Sequence, residues 1–283
     1  MSVLVILRLL HFTSLMLVFG ACMFRPLLLT HPGQQKRLRN LLDPLVCLLA
    51  ALALISGVAW LFATAYEMGG SLDMALVRRV LAETFFGKVW TLHLMCCVAL
   101  LVCLRIANPK LQVVARPLSA LALATLAPIG HAAMLDGTAG QLLVVNQLIH
   151  LLCVGAWSGG LMLLLFVLAS PGGEDVQQLL RRFSGVGLVL VAGVLITGLI
   201  NVRVLTGQFW PMPGESGFAT VLAVKMVLVA VMLGLALYHR WRLDQEPMDV
   251  AQIKRTVAVE WCCGLAAVGA VSLLGTLAPV PLG

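Results

Sequence analysis

The sequence predicts an all-α polytopic membrane protein, a bundle of eight transmembrane helices. Of its 283 residues, 61% are hydrophobic and 11% are charged, and the mean hydropathy of +1.02 lies far above that of soluble domains. Apolar runs of about 20 residues, long enough to cross a hydrocarbon core, recur along the chain. None shows the alternation over about ten residues that is typical of membrane β-strands, so helices are expected to satisfy the backbone in lipid.

The eight predicted spans follow these apolar runs in chain order and form one transmembrane domain over residues 1–283. The interval between the second and third spans is polar but patterned. In "SLDMALVRRVLAETFFGK", Leu72, Leu76, Val80 and Phe86 recur near helical spacing, which predicts a short helix on the outer membrane surface. The spans are expected near residues 2–29, 44–66, 88–107, 117–135, 142–169, 184–205, 218–240 and 258–280.

The orientation of the bundle is predicted from the positions of lysine and arginine. If the loop after the first span is cytoplasmic, most cations fall on the cytoplasmic side, and Arg78, Arg79 and Lys88 lie opposite. Both termini are then expected to face the outside. The net charge of +7 reflects this asymmetry and includes no clustered basic stripe, so no nucleic-acid partner is expected.

Histidines recur at one predicted depth in four spans. His11, His93, His131 and His150 fall in the outer third to half of the first, third, fourth and fifth spans, whereas His31 and His239 lie at the cytoplasmic side. Ionisable side chains inside a membrane are functional candidates by default. We therefore predict that the four imidazoles form a ligand site, with a polar network between helices as the alternative.

Neighbours on the same helical faces add to this predicted site. Asn146, His150 and Trp157 share a stripe of the fifth span, and Met134 lies one turn beyond His131. Imidazole and thioether groups are natural copper ligands, so Met134 is a candidate ligand; the alternative is that Met134 fills the core. Lys225, about two turns into the seventh span, either reaches back to the interface or lines the site; we expect the second.

Three segments resemble the copper resistance protein D (CopD/PcoD) family of bacterial inner-membrane proteins. They are "LRLLHFTSLMLVFGACMFRPLLL", "GHAAM" and "NQLIHLLCVGAWSGGLMLL", and the likeness extends over essentially the whole chain. The resemblance implies termini in the periplasm and delivery of periplasmic copper to the cytoplasm, alongside a separate periplasmic copper-binding protein of the CopC type. By their positions in these segments, His11, His131, His150 and Trp157 match site residues of the family. His93 is added to the predicted site from its depth alone.

Three functions therefore remain open. The first is a copper permease, which passes copper inward through the histidine site. The second is a membrane b-type cytochrome whose histidines are axial ligands of haem b, and the third is a receptor or assembly factor that holds copper without transport. No Walker A motif or nucleophile elbow is present, so no enzyme activity is expected unless the haem alternative holds.

Overall fold

The computed structural model describes residues 3–30, 32–70, 73–106, 108–130, 135–170, 176–214, 216–243, 245 and 249–277. Within these ranges every regular element is an α-helix, which confirms the predicted all-α class. The helices are α1 (Val3–Leu28), α2 (Pro32–Gly69), α3 (Met74–Glu83), α4 (Phe85–Arg105), α5 (Pro109–Ala124), α6 (Gly137–Ala169), α7 (Val176–Thr206), α8 (Gly217–Arg242) and α9 (Val250–Leu274).

Seven of these helices are long and apolar enough to cross a membrane, so the chain is a polytopic membrane protein. They are α1, α2, α4, α6, α7, α8 and α9. Helix α5 has 16 residues, a length of about 24 Å. The predicted count of eight spans depends on α5, and it stays a prediction.

The start of α1 lies beside the end of α9. Near the start of α1, the Arg8 guanidinium donates a hydrogen bond of 3.0 Å to the carbonyl of Gly275, which caps the end of α9. Both ends of the described chain therefore lie at one end of the bundle. Which membrane face this end meets stays a prediction from the cation asymmetry.

The contact between α1 and α6 is made through glycine. A Cβ atom built on Gly20 would lie 2.6 Å from the Cα atom of Gly159, closer than any real side chain allows. Small residues let two helical backbones approach where lipid supplies no hydrophobic driving force between helices. This crossing places α1 in the interior of the bundle, where it also packs against α2, α5, α7 and α9.

The second helix begins earlier than predicted. It was expected from residue 44, but α2 starts at Pro32 and continues through Pro44 as an interior residue. A proline in a membrane helix is tolerated where neighbouring groups satisfy the freed backbone. The added turns are amphipathic: Leu38 and Leu42 are fully buried, and Arg39 is exposed.

Helix α5, which corresponds to the fourth predicted span, is displaced from the predicted range of 117–135. Asn108 caps the start of α5 by accepting a hydrogen bond from the Lys110 amide at 2.9 Å. The helix ends at Ala124, because Pro128 cannot donate to the carbonyl four residues earlier. Turns follow to Gly130, whose φ of 104° favours glycine. His131 and Met134 lie outside the described residues.

The short helix predicted after the second span is confirmed as α3. Asp73 caps its start by accepting a hydrogen bond from the Ala75 amide at 3.0 Å. Its apolar face buries Val77 and Val80 against the bundle. Leu72, part of the predicted pattern, lies outside the described residues.

Candidate metal centre

The His11 and His93 side chains meet in the interior of the bundle. His11 lies eight residues after the start of α1, and His93 lies eight residues after the start of α4. Their ring centroids are 4.9 Å apart, and both side chains are completely buried. These two histidines, which were predicted to lie at one depth, are therefore in direct contact.

The hydrogen bonds of His11 define which ring nitrogen carries the proton. Nδ1 lies 2.9 Å from the carbonyl oxygen of Ala53, which can only accept, so Nδ1 donates. In the neutral ring, Nε2 then holds a lone pair. The Nε2 atom is buried and has no hydrogen-bond partner among the described residues. Because buried polar atoms are normally paired, this lone pair is available to a ligand.

His93 is held in the same tautomer. Its Nδ1 lies 2.7 Å from the hydroxyl oxygen of Thr125, and that hydroxyl donates its own hydrogen to the carbonyl of Ala122 at 2.7 Å. Nδ1 of His93 must therefore donate, which leaves a lone pair on Nε2. The Cys97 sulfur lies 3.4 Å from this Nε2 atom. The Cys97 thiol therefore donates to Nε2 of His93, whereas Nε2 of His11 has no partner among the described residues.

Two indole rings enclose the histidine pair. Trp90 stacks on His93 with centroids 4.7 Å apart, and the Trp60 ring meets His11 edge-on at 5.7 Å. The Trp90 indole donates a hydrogen bond of 3.0 Å to the carbonyl of Gly57. Both indole rings are buried, so they surround the two imidazoles with apolar side chains.

His150 of α6 is oriented, like His93, by a hydrogen bond from Nδ1 to a threonine hydroxyl. Its Nδ1 lies 2.8 Å from the Thr197 hydroxyl, which donates to the carbonyl of Gly193, so the ring Nδ1 donates here too. Asn146, one turn earlier, donates to the Thr197 carbonyl at 3.0 Å and to Asn201 at 2.9 Å. A hydrogen bond through one ring nitrogen fixes the tautomer and leaves the other nitrogen free for a ligand.

A cavity of about 190 Å³, here called the His150 cavity, opens beside this residue. It lies at the end of the bundle where Arg8 meets Gly275, and Lys225 also faces it. Lys225 makes no hydrogen bond or ion pair with the described residues. The described lining contains two cations, two thioethers and several neutral polar groups but no carboxylate: Arg8, Lys225, Met16, Met232, Gln147, Ser158, Asn201 and Thr206.

Trp157 separates the His150 cavity from a smaller one. The second cavity, of about 70 Å³, is lined by Glu260 and His239 and is here called the Glu260 cavity. Trp157 contributes to the walls of both cavities, and its side chain is buried. The predicted stripe of Asn146, His150 and Trp157 therefore faces α7 at one end and the two cavities at the other.

The structure brings together some of the predicted site residues. His11 and His93 are in contact, whereas His150, Trp157 and Lys225 surround the His150 cavity. In the described ranges, no three His, Cys, Asp or Glu side chains converge tightly enough to hold a metal ion as they stand. The sequence reasoning did not identify Ala53, Thr125 and Thr197 as the acceptors that orient the rings, because hydroxyl and carbonyl partners carry no spacing signature.

Comparison with known proteins decides the family. A family model described as "Copper resistance protein D-like, N-terminal domain" matches residues 1–141, and one described as "Copper resistance protein D" matches residues 177–274. The Escherichia coli (strain K12) protein "Inner membrane protein YebZ" is 30% identical over 96% of this chain and 97% of its own length. The chain belongs to the copper resistance protein D family.

Two further relatives agree with this membership. The "Copper resistance protein D" of Pseudomonas syringae pv. tomato is 27% identical over 95% of this chain and 94% of its own length. The "Copper transport protein CutJ" of Bacillus subtilis (strain 168) is 29% identical over 48% of this chain and 25% of its own length. No solved structure matches the chain. The resemblance stated from the sequence is confirmed.

Proposed function

We propose that this chain is a copper-binding protein of the bacterial inner membrane that carries periplasmic copper toward the cytoplasm. The observation that carries the proposal is the Nε2 lone pair of His11, which has no partner in the described part of the chain and is buried against the His93 ring. The names of the relatives support the cargo and the membrane, since they include a copper resistance protein, a copper transport protein and an inner membrane protein.

The donor set suits the cuprous ion. Imidazole nitrogen binds copper in either oxidation state, and sulfur favours the cuprous form. A cuprous ion is stable with as few as two ligands, so the His11 and His93 Nε2 atoms are sufficient, with the Cys97 sulfur beside them. A thiol that binds a metal gives up its proton, which would neutralise the charge of the ion in this dry interior.

The His150 cavity is proposed as the entrance. Its neutral imidazole and the Met16 and Met232 thioethers are soft donors, and the cavity lies at the end of the bundle that the cation asymmetry places outside. A separate periplasmic protein of the CopC type would deliver copper there. We propose no catalytic activity for the chain.

The haem alternative gains no support from the geometry. Two axial imidazoles of one haem must stand on opposite faces of a porphyrin plane, with the iron between them. His11 and His93 instead lie in direct ring contact at 4.9 Å, and Trp90 stacks on the second of them. This contact favours an ion over a porphyrin. A colourless copper-loaded protein is expected, and a strong visible absorption would contradict it.

The test is an anaerobic titration of the purified protein with cuprous ion against a chromophoric chelator. We expect His11→Ala and His93→Ala each to weaken copper binding by at least about tenfold, equivalent to about 1.4 kcal/mol. The matched control is Cys103→Ala, which removes a buried α4 thiol that packs in a separate apolar cluster. If both histidine variants bind copper as tightly as the natural protein, the pair only joins helices.

A further inference from the structure

Glu260 is buried in the middle of a membrane-spanning helix. It lies ten residues after the start of α9, and only 1% of its surface is exposed. Of the carboxylates in the described part of the chain, it is the one that is buried. Ionisable groups at such depth are costly and are usually retained for a pathway, a relay or a ligand.

His239 of α8 is the partner of Glu260. Its Nδ1 lies 3.2 Å from Oε2 of Glu260, and its Nε2 lies 2.7 Å from the Thr256 hydroxyl. That hydroxyl donates its single hydrogen to backbone carbonyls of α9, at 3.0 Å to Ile253 and 3.1 Å to Gln252. Nε2 of His239 must therefore donate to Thr256, and the carboxyl and Nδ1 share one proton between them.

The shared proton makes the pair electrically neutral in either arrangement. A protonated Glu260 beside neutral His239 and an ionised Glu260 beside charged His239 contain the same number of protons. A monovalent metal ion that replaces this proton leaves the total charge unchanged. It also gains two ligand atoms, a carboxylate oxygen and an imidazole nitrogen, that are already 3.2 Å apart.

The surroundings of the pair leave room for an ion. The Glu260 cavity of about 70 Å³ lies beside it, toward the end of the bundle where α8 ends and α9 begins. Its charged or titratable lining groups are His239 and Arg240 from α8 and Glu260 from α9, while α6 and α7 contribute Trp157, Ser184 and apolar side chains. The Tyr238 ring also packs 6.1 Å from His239. Trp157 lines both this cavity and the His150 cavity, so its side chain lies between them.

We propose that Glu260 and His239 form a second cation site, at which copper is held after it passes Trp157. The proposal rests on the proposed function, because it takes copper as the cargo. A cuprous ion binds the Glu260 carboxylate and the His239 Nδ1 atom, and the proton that they share leaves to solvent; no electron is transferred. A carboxylate oxygen is a poor ligand for a soft ion, so the site binds weakly enough to release its cargo onward.

The first experiment compares copper and proton stoichiometry. The full-length protein, purified in weakly buffered detergent solution without oxygen, is titrated with cuprous ion while a pH indicator reports released protons. Glu260→Gln keeps the shape of the side chain and removes the exchangeable proton. Relative to the natural protein, we expect this variant to bind about one copper fewer per chain and to release about one proton fewer.

The matched control is Asp43→Asn, which removes a carboxylate paired at 2.6 Å with Arg25 of another helix but away from both cavities. Its copper and proton counts should equal those of the natural protein. Unchanged copper and proton counts in Glu260→Gln would overturn the second site and leave the His11–His93 site intact. Failure of the natural protein to bind any copper would instead refute the proposed function.

A second measurement needs no variant. A hydrophobic carbodiimide reacts with protonated carboxyl groups inside membranes, and mass spectrometry of the labelled peptide reports modification of Glu260. Cuprous ion added beforehand should protect Glu260, because binding displaces the proton and occupies the oxygen. Equal labelling with and without copper would contradict the proposal even if Glu260→Gln does not fold.

Discussion

The rings of His11 and His93 lie 4.9 Å apart, although 82 positions separate them in the chain. Each ring donates through Nδ1 to an acceptor on a neighbouring helix, Ala53 in one case and Thr125 in the other. Nε2 of His11 is left without a partner among the described residues, and Nε2 of His93 accepts from the Cys97 thiol at 3.4 Å. The two rings are therefore oriented before any ion arrives, which lowers the cost of ordering them on binding.

Cys97 should contribute to copper binding, and Cys103 should not. Cys97→Ala removes the sulfur 3.4 Å from the His93 Nε2 atom. We expect its copper affinity to fall by about ten- to a hundredfold, about 1.4–2.7 kcal/mol. Competition with a cuprous chelator measures this. Equal affinities of the Cys97→Ala and Cys103→Ala variants would remove the thiol from the site.

His150→Ala tests whether the histidines act as one site or as successive sites. If the His150 cavity is an entrance, the variant should keep copper at the His11–His93 pair and slow uptake into proteoliposomes several-fold. At equilibrium the variant would then lose only the copper that is bound at His150 itself. Loss of all bound copper would support the single four-histidine site that the sequence predicts, with His131→Ala giving the same result.

Lys225 places a positive charge beside a proposed cation entrance. Lys225→Met should change copper occupancy or uptake, because it removes an amine that faces the His150 cavity and has no partner among the described residues, whereas Lys225→Arg should preserve at least part of the natural behaviour. Copper content and uptake rates of folded protein are the readouts. If Lys225→Met is indistinguishable from the natural protein in both, the amine only extends toward the membrane interface.

The orientation can be tested with reporter fusions. Fusions after Asp136 and Glu215 should report the periplasm, and fusions near Arg182 and Asp249 should report the cytoplasm, because lysine and arginine are enriched in cytoplasmic loops. The Arg8–Gly275 contact requires both ends to fall on the same side. A cytoplasmic signal at Asp136 would reverse the proposed direction of entry.

Gly20 should tolerate no larger side chain. A Cβ at this position meets the α6 backbone, so Gly20→Val should force α1 and α6 apart and destabilise the protein by about 1–3 kcal/mol. Thermal unfolding in detergent measures the effect. Gly185→Val is the control, since no atom lies within 4 Å of a Cβ built there. Similar losses of stability in both variants would contradict close packing at Gly20.

The sequence predicts a helix end correctly where the helix stops at the same residue as its apolar run. The range expected for the first span, 2–29, nearly matches α1 (Val3–Leu28) because lipid length and apolarity coincide there. The second and fourth ranges were wrong at their ends. Pro44 lies inside α2, and α5 ends before Pro128, so one proline is accommodated and the other terminates a helix. Local sequence does not distinguish these outcomes, since packing decides whether freed carbonyls find partners.

The sequence by itself determined the all-α membrane class and the family, and it predicted that His11 and His93 lie at one level of the bundle, because hydropathy and helical rise relate position in the chain to position along a helix. Only the tertiary structure decided which ring nitrogens donate, that Cys97 adjoins His93, and that Glu260 meets His239. These relationships depend on the rotation of each helix about its axis and on partners far away in the chain. Such rotations are set by close packing, as between Gly20 and Gly159, and a period of 3.6 residues cannot specify them.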